Sequence, residues 1–310
     1  MKKIFAFILL ICLTAIFCVQ TEHSTIPKTE EKFESGFAFN LSIDDTGYSI
    51  TAGNPQRIVS LSPSNTEILF AIGAGDRVVG VTDYCNYPPE VAELVAKGKI
   101  QRIGGYSTVN VERIISLKPD LVIASYGNGL ATIEVLRKYT KVIAFDPKDI
   151  RGIERSILAI GVATGNYENA EKIVSEMEKR ISEIKAREKS YKRVAHIVWN
   201  DPIWVSGKET FIDEAITIAG GINVFNFSGW RIVSVEDLIR ANPEVIIVSS
   251  GSGMSGGRDV VYEWVMSDKR LKNVEAVKNG KVFVIDADII SRPGPRIVDA
   301  LEQIYQLLNS

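Results

Sequence analysis

A chain of 310 residues is long enough for two lobes of ordinary domain size. Hydrophobic residues make up 45% and charged residues 24%, which excludes a disordered or fibrous chain. The 36 basic and 38 acidic side chains are interspersed and leave a net charge of −2, so nothing resembles an electrostatic footprint for nucleic acid.

Met1-Lys2-Lys3 is a short basic start to an apolar run over 4–19. That run is too short for a comfortable membrane span and suits a secretory signal or anchor, segment 1–19. Residues 20–36, with Thr, Ser, Glu and Lys, read as a polar tether. The body is therefore expected to be exported. Cys12 and Cys18 fall in the export segment, leaving Cys85 alone in the body with no partner for an intrachain disulfide. Cys18 is a candidate for lipid attachment. Ala15-Ile16-Phe17 before it lacks the small residues a processing peptidase prefers, so cleavage, lipidation and an uncleaved anchor stay open.

Apolar alternation over 37–43 and 48–51, around Asp44-Asp45-Thr46-Gly47, predicts a β-hairpin within a 37–56 lead-in. A buried strand is expected at 57–61. The polar cluster Ser62-Pro63-Ser64-Asn65-Thr66-Glu67 carries capping residues and opens a helix over 68–72 that stops at Gly73. Short β-branched runs at 78–81, 121–124 and 142–145 alternate with helical segments, which predicts a mainly parallel sheet covered on both faces. This defines an N-terminal lobe over 57–149. Residues 167–189 carry no Gly or Pro, and Ala170, Ile173, Val174, Met177, Ile181 and Ile184 recur at helical spacing. A helix of about twenty residues, spanning roughly 30 Å, follows. It belongs to a connecting backbone helix, 150–191, that leads to a C-terminal lobe over 192–310.

The two halves repeat each other. Residues 111–127 and 235–251 align without a gap, each reading as helix, proline-containing turn, buried strand and glycine loop. Segments 66–81 and 210–225 pair in the same order, as do 141–146 and 281–286. Three ordered matches point to duplicated lobes.

From Arg57 to the C-terminus the chain resembles the class III periplasmic binding proteins of cobalamin, iron–siderophore and haem importers, most closely the cobalamin-binding branch. The likeness is carried by Arg57 to Glu67, Gly80-Val81-Thr82-Asp83-Tyr84-Cys85-Asn86-Tyr87-Pro88-Pro89, Trp204-Val205-Ser206-Gly207-Lys208-Glu209 and Ser291-Arg292-Pro293-Gly294-Pro295-Arg296. The resemblance implies an α/β fold of two Rossmann-like lobes with mainly parallel sheets. A single long backbone helix would join them, with the ligand sandwiched between. It also implies a binding role without catalysis, a monomer, and delivery to an ABC permease dimer with its ATPase subunits. Membrane association would come through the N-terminus or that permease.

Carried over residue by residue, the family's docking glutamates fall on Glu112 and Glu236, the same pair the repeat aligns. One anionic point per lobe suits a twofold cationic partner. Each is also a favourable acid in the first turn of a helix. Tyr84, Tyr106 and Trp230 fall on cleft aromatics, and Asp288 on a cleft carboxylate. Ser125 replaces a tryptophan, for which Tyr126 is a substitute; another cleft aromatic falls near Trp199 or Trp204. The expected cargo is cobalamin. Arg292 and Arg296 raise the alternative of a ferric siderophore or haem, whose carboxylates or catecholates they would pair with.

Other motifs carry less. Gly251-Ser252-Gly253-Met254-Ser255-Gly256 fits a dinucleotide fingerprint, but its counterpart Gly127-Asn128-Gly129 and its late position favour a cleft-edge loop. His23 and His196 are the only histidines, and no His/Cys/Glu cluster has metal-ligand spacing, so no protein-bound metal is expected. His196 reads as structural and Cys85 as a buried thiol. Asp83, Glu67 and Asp288 could supply acid–base groups, yet no nucleophile–base–orienter set assembles around them.

Overall fold

The computed structural model describes residues 39–250 and 258–309. The export segment, the tether and the 251–256 glycine motif lie outside the described residues. The first lobe runs β1 (Ile58–Ser60), α1 (Pro63–Ala71), β2 (Val78–Val81), α2 (Glu90–Ala96), β3 (Gln101–Arg102), α3 (Val111–Ser116), β4 (Leu121–Ser125), α4 (Leu130–Arg137) and β5 (Val142–Phe145). Two helices, α5 (Ile150–Thr164) and α6 (Tyr167–Lys185), lead to the second lobe. There follow β6 (Arg193–Asn200), β7 (Ile203–Ser206), α7 (Phe211–Ile218), β8 (Ile222–Asn223), β9 (Trp230–Val233), α8 (Val235–Ala241) and β10 (Val245–Ser250). The chain closes with α9 (Val260–Ser267), α10 (Glu275–Lys278), β11 (Val282–Asp286), α11 (Ala287–Ile290) and α12 (Ile297–Leu308).

The first sheet is wholly parallel, in the order β3-β2-β1-β4-β5. The second is mainly parallel as expected, with an antiparallel addition along one side. β8, β6, β10 and β11 pair in parallel, but β7 and β9 join antiparallel beside β6. The cause is local: only Asp201-Pro202 separates β6 from β7, and so short a link can join antiparallel strands only.

Beneath that addition the duplication extends to register. Ile58 sits opposite Leu121 as Val194 sits opposite Val245, and Val122 opposite Val142 as Ile246 opposite Val282. Asp120 accepts from the Arg57 N–H at 2.9 Å, and its counterpart Glu244 accepts from the Arg193 N–H at 3.0 Å. Lys118 and Asn242, one repeat apart, both take positive φ at the end of the preceding helix, at 48° and 41°. In the 66–81 and 210–225 pair both helices run into a positive-φ glycine, Gly73 and Gly220, but they start differently. Ser62 caps α1 by accepting from the Asn65 N–H at 3.2 Å, so the helix begins at Pro63 and not at 68, whereas Thr210 caps α7. Pro63 occupies the first helical position, where its missing N–H costs nothing.

Segment 150–191, expected as one connecting helix, holds two. Gly165 breaks it with φ 71°, and a Cβ there would lie 2.9 Å from the Gly53 carbonyl oxygen. α6 is the long helix anticipated, with Ala170, Val174, Met177, Ile181 and Ile184 buried along one face. These side chains join a core that crosses both lobes: Ile58, Ile123 and Ile143 of the first sheet meet it from one side, Val194, Val245 and Ile247 of the second from the other. Alternate residues face two private cores, Val59, Val122 and Ala144 in one lobe, Ala195, Ile246 and Val248 in the other. The lobes are thus welded through shared apolar packing.

The expected hairpin survives as a single bridge, Ile43 to Ser49. Its turn is fastened to the edge strand instead: the Asp45 N–H donates to the Ala144 carbonyl at 3.1 Å, and the Asp44 carboxylate accepts from the Ala144 N–H at 2.8 Å. An edge strand that would otherwise offer open backbone groups is covered.

Candidate ligand-binding cleft

In doubly wound sheets the strands' carboxyl ends converge on a crevice. Here the ends of β1, β2, β4, β6 and β11 do so between the lobes, around a cleft of about 530 Å³, within the roughly 300–1,000 Å³ range of small-molecule pockets. The first lobe contributes Ser62, Pro63, Ser64, Tyr84, Tyr106 and Ser125; the second contributes Trp199, Ala287, Asp288, Ser291, Arg292 and Pro293. Aromatic faces therefore come from both sides, with hydroxyls between them.

The charged groups form two bridges across the lobes. Asp288 accepts from the Asn86 amide at 2.6 Å and pairs with Arg292 at 2.6 Å. Arg292 closes the triangle by donating to the Asn86 side-chain oxygen at 2.8 Å. Burial opposes its charge and lowers the guanidinium pKa, while the neighbouring Asp288 and Glu67 carboxylates favour the charged form. Behind it, Arg296 donates to the buried Glu67 carboxylate at 2.8 Å and lies 3.8 Å from the centre of the Tyr87 ring. Two carboxylates and two guanidiniums sum to zero, and each arginine is already paired.

Of the expected cleft residues, Tyr84, Tyr106, Ser125, Trp199, Asp288 and Arg292 line one cavity. Tyr126, Trp204 and Trp230 lie outside that lining. Ser125, the last residue of β4, faces the cleft, so Tyr126 after it turns outward and is 45% exposed. Trp204 is on β7, directly opposite Trp199. Trp230 packs edge-on against His196 and Phe211, with ring centroids at 6.3 and 5.9 Å. Sequence patterns mark Ser62-Pro63-Ser64 only as a helix start and give Asn86 no role, so both were missed as parts of the cleft. The position of Ser62-Pro63-Ser64 directly after a buried parallel strand was the usable signal.

Glu112 and Glu236 are each the second residue of their helix, α3 and α8, and both are exposed. Asn110 and Ser234 cap those helices through the N–H groups of Arg113 and Asp237. His196 is fully buried between the Ser206 and Ser249 hydroxyls at 3.0 and 2.9 Å, and burial lowers its pKa to about 3. Cys85 is buried against Thr66 and Thr82, and burial pushes its thiol up. Both side chains are fully buried. Among the described residues no group of three or more His, Cys, Asp or Glu could hold a metal ion, and no helix is long and apolar enough to cross a membrane.

Two duplicated α/β lobes, welded by a shared core and facing each other across a neutralised aromatic cleft, define a bilobal ligand receptor. The family described as periplasmic binding protein matches residues 58–289, and the chain belongs to it. An uncharacterized ABC transporter substrate-binding lipoprotein of Bacillus subtilis, YvrC, is 32% identical over 99% of this chain and 97% of its own length. The crystal structure of the periplasmic vitamin B12 binding protein BtuF of Vibrio cholerae is 30% identical, with a TM-score of 0.69 over 82% of this chain and 97% of that one. The periplasmic haem-binding protein RhuT of Roseiflexus is 27% identical, with a TM-score of 0.72 over 83% and 98%.

Proposed function

We propose that this chain is the exported substrate-binding protein of an ABC importer and that its cleft carries a corrinoid such as cobalamin. The observation that carries the ligand assignment is the charge balance. Arg292 and Arg296, the groups a haem propionate or an anionic siderophore would need, are committed to Asp288 and Glu67. Taking either arginine away would leave a buried carboxylate unpaired, which is expensive. A corrinoid presents amides rather than carboxylates around its ring and asks for stacking surfaces and hydroxyls. Tyr84, Tyr106 and Trp199 offer the first, and Ser62, Ser64, Ser125 and Ser291 the second.

Delivery follows from the duplication. Glu112 and Glu236 occupy equivalent exposed helix starts, one per lobe, and would each meet a cation on one subunit of a twofold permease. Energy would come from that transporter's ATPase; the chain itself binds, presents and releases. The 1–19 segment and the tether would export the body and hold it near the membrane. The haem reading keeps the support of the RhuT structure, whose TM-score of 0.72 stands beside 0.69 for BtuF.

A thermal-shift panel of cyanocobalamin, cobinamide, haemin and ferric siderophores tests the assignment, because a ligand of the folded state raises the melting temperature. Corrinoids alone should raise it. A response to haemin or a siderophore with corrinoids silent would overturn the ligand while leaving the transport role.

A further inference from the structure

The loop after β4, Gly127-Asn128-Gly129, carries none of the roles assigned above, yet it packs directly behind the cleft wall. Tyr126–Asn128 is a short 3-10 turn rather than an open loop. Asn128 is 2% exposed and makes three hydrogen bonds to three different segments. Its amide nitrogen donates to the Leu61 carbonyl at 2.9 Å and to the Tyr106 carbonyl at 2.7 Å, and its oxygen accepts from the Ser125 N–H at 2.6 Å. Leu61 leads directly into Ser62-Pro63-Ser64, so one side chain fastens the segments that carry most of the first lobe's wall. A buried amide with these bonds made is a rigid node.

Gly127 completes the arrangement. A Cβ at this position would overlap the Tyr106 Oη and lie 2.6 and 2.7 Å from its Cε1 and Cζ atoms, closer than side chains approach. Its backbone does not explain the glycine, because Gly127 is absent from the positive-φ positions, whereas Gly129 has φ 86°. The missing side chain is the seat of the Tyr106 ring. That ring is held at its far end as well, by a 2.8 Å hydrogen bond between the Tyr106 and Ser125 hydroxyls.

We infer that Gly127 and Asn128 are positioning residues: they hold Tyr106 preformed as the aromatic wall of the cleft, and so set the width available to a flat ligand. This rests on the reading of the cleft as the ligand site. Preorganisation of this kind removes the ordering cost that a mobile aromatic would add to binding. Tyr84, the other tyrosine of that wall, is 54% exposed and has no such seat, so the two tyrosines play different parts.

The test compares full-length wild type with Gly127→Ala, Asn128→Asp and Tyr106→Leu, and with the double variant Gly127→Ala/Tyr106→Leu. In ligand-free protein carrying ring-labelled tyrosine, the Tyr106 signals should move in Gly127→Ala and in Asn128→Asp. The Asp variant keeps the acceptor for Ser125 but loses both amide donors. With cyanocobalamin as probe, Gly127→Ala should weaken binding about tenfold, in line with one displaced aromatic contact. The same substitution should add nothing in the Tyr106→Leu background. Unmoved Tyr106 signals, or an affinity loss of equal size in both backgrounds, would overturn the inference. If wild type ignores cyanocobalamin, the ligand assignment fails, and the ligand-free tyrosine spectra still decide the positioning roles.

Discussion

The two lobes share a frame and differ in what they hang on it. The four parallel strands β2-β1-β4-β5 of one match β8-β6-β10-β11 of the other, down to the acidic residue that caps the first strand. At the cleft they diverge. The first lobe's lining is uncharged, whereas the second supplies the paired Asp288 and Arg292. Inside the strands, Ser60 and His196 occupy the same slot, opposite Ile123 and Ile247. Duplication thus kept the backbone geometry which aims strand ends at the cleft and left the side chains free to specialise.

The largest expected effect concerns the buried ion pair that crosses between the lobes. Arg296→Met strands the buried Glu67 carboxylate and should cost about 3–5 kcal/mol in a urea melt. Adding Glu67→Gln should recover most of it, and both variants should still unfold in one transition because the apolar core is shared. Two separated transitions would show lobes more independent than this packing allows.

Next comes Glu154 on α5, where burial, reinforced by the Glu178 and Glu214 carboxylates, raises the carboxyl pKa to about 8. The folded state therefore keeps a proton that the unfolded chain releases above its ordinary 4.5, so stability falls as pH rises through that window. At pH 7 the loss is about 3 kcal/mol by linkage. Glu154→Gln should be more stable than wild type at pH 7 and nearly equal to it at pH 4, measured by thermal unfolding.

The Ser60–His196 difference gives a smaller effect of opposite sign. The imidazole is depressed to about 3 from 6.5, so the unfolded chain takes up a proton first as pH falls. Stability drops by about 2 kcal/mol on reaching pH 5. Hydrogen exchange at pH 5 should quicken in β6 and β10 before β1 and β4, and His196→Asn should flatten the acid limb of the stability curve. Smallest of all is the structural effect of replacing Glu112 and Glu236 with Ala, within about 0.5 kcal/mol for exposed sites. Ligand affinity should hold and uptake should be lost; full uptake in cells would break the equivalence of the two lobes at the permease.

Much of the frame could be read from the chain alone, since buried parallel strands are continuous apolar runs and the 111–127 and 235–251 repeat reappears as matched register. The α5–α6 break turned on one left-handed glycine, and the antiparallel β7 on a two-residue link. Cleft residues were harder. Whether Ser125 or Tyr126 faces inward depends on strand phase at its last position. The partners of Asn128 lie up to 67 residues away, and Asn86 meets Asp288 across 202, distances at which no local pattern survives.

Calorimetric titration of Trp199→Ala and Trp204→Ala with cyanocobalamin tests the cleft most directly, because the two tryptophans are strand partners and only Trp199 lines the cavity. Trp199→Ala should bind at least about tenfold more weakly than wild type, and Trp204→Ala should bind unchanged. Equal losses, or a loss confined to Trp204→Ala, would place the ligand elsewhere and contradict the account.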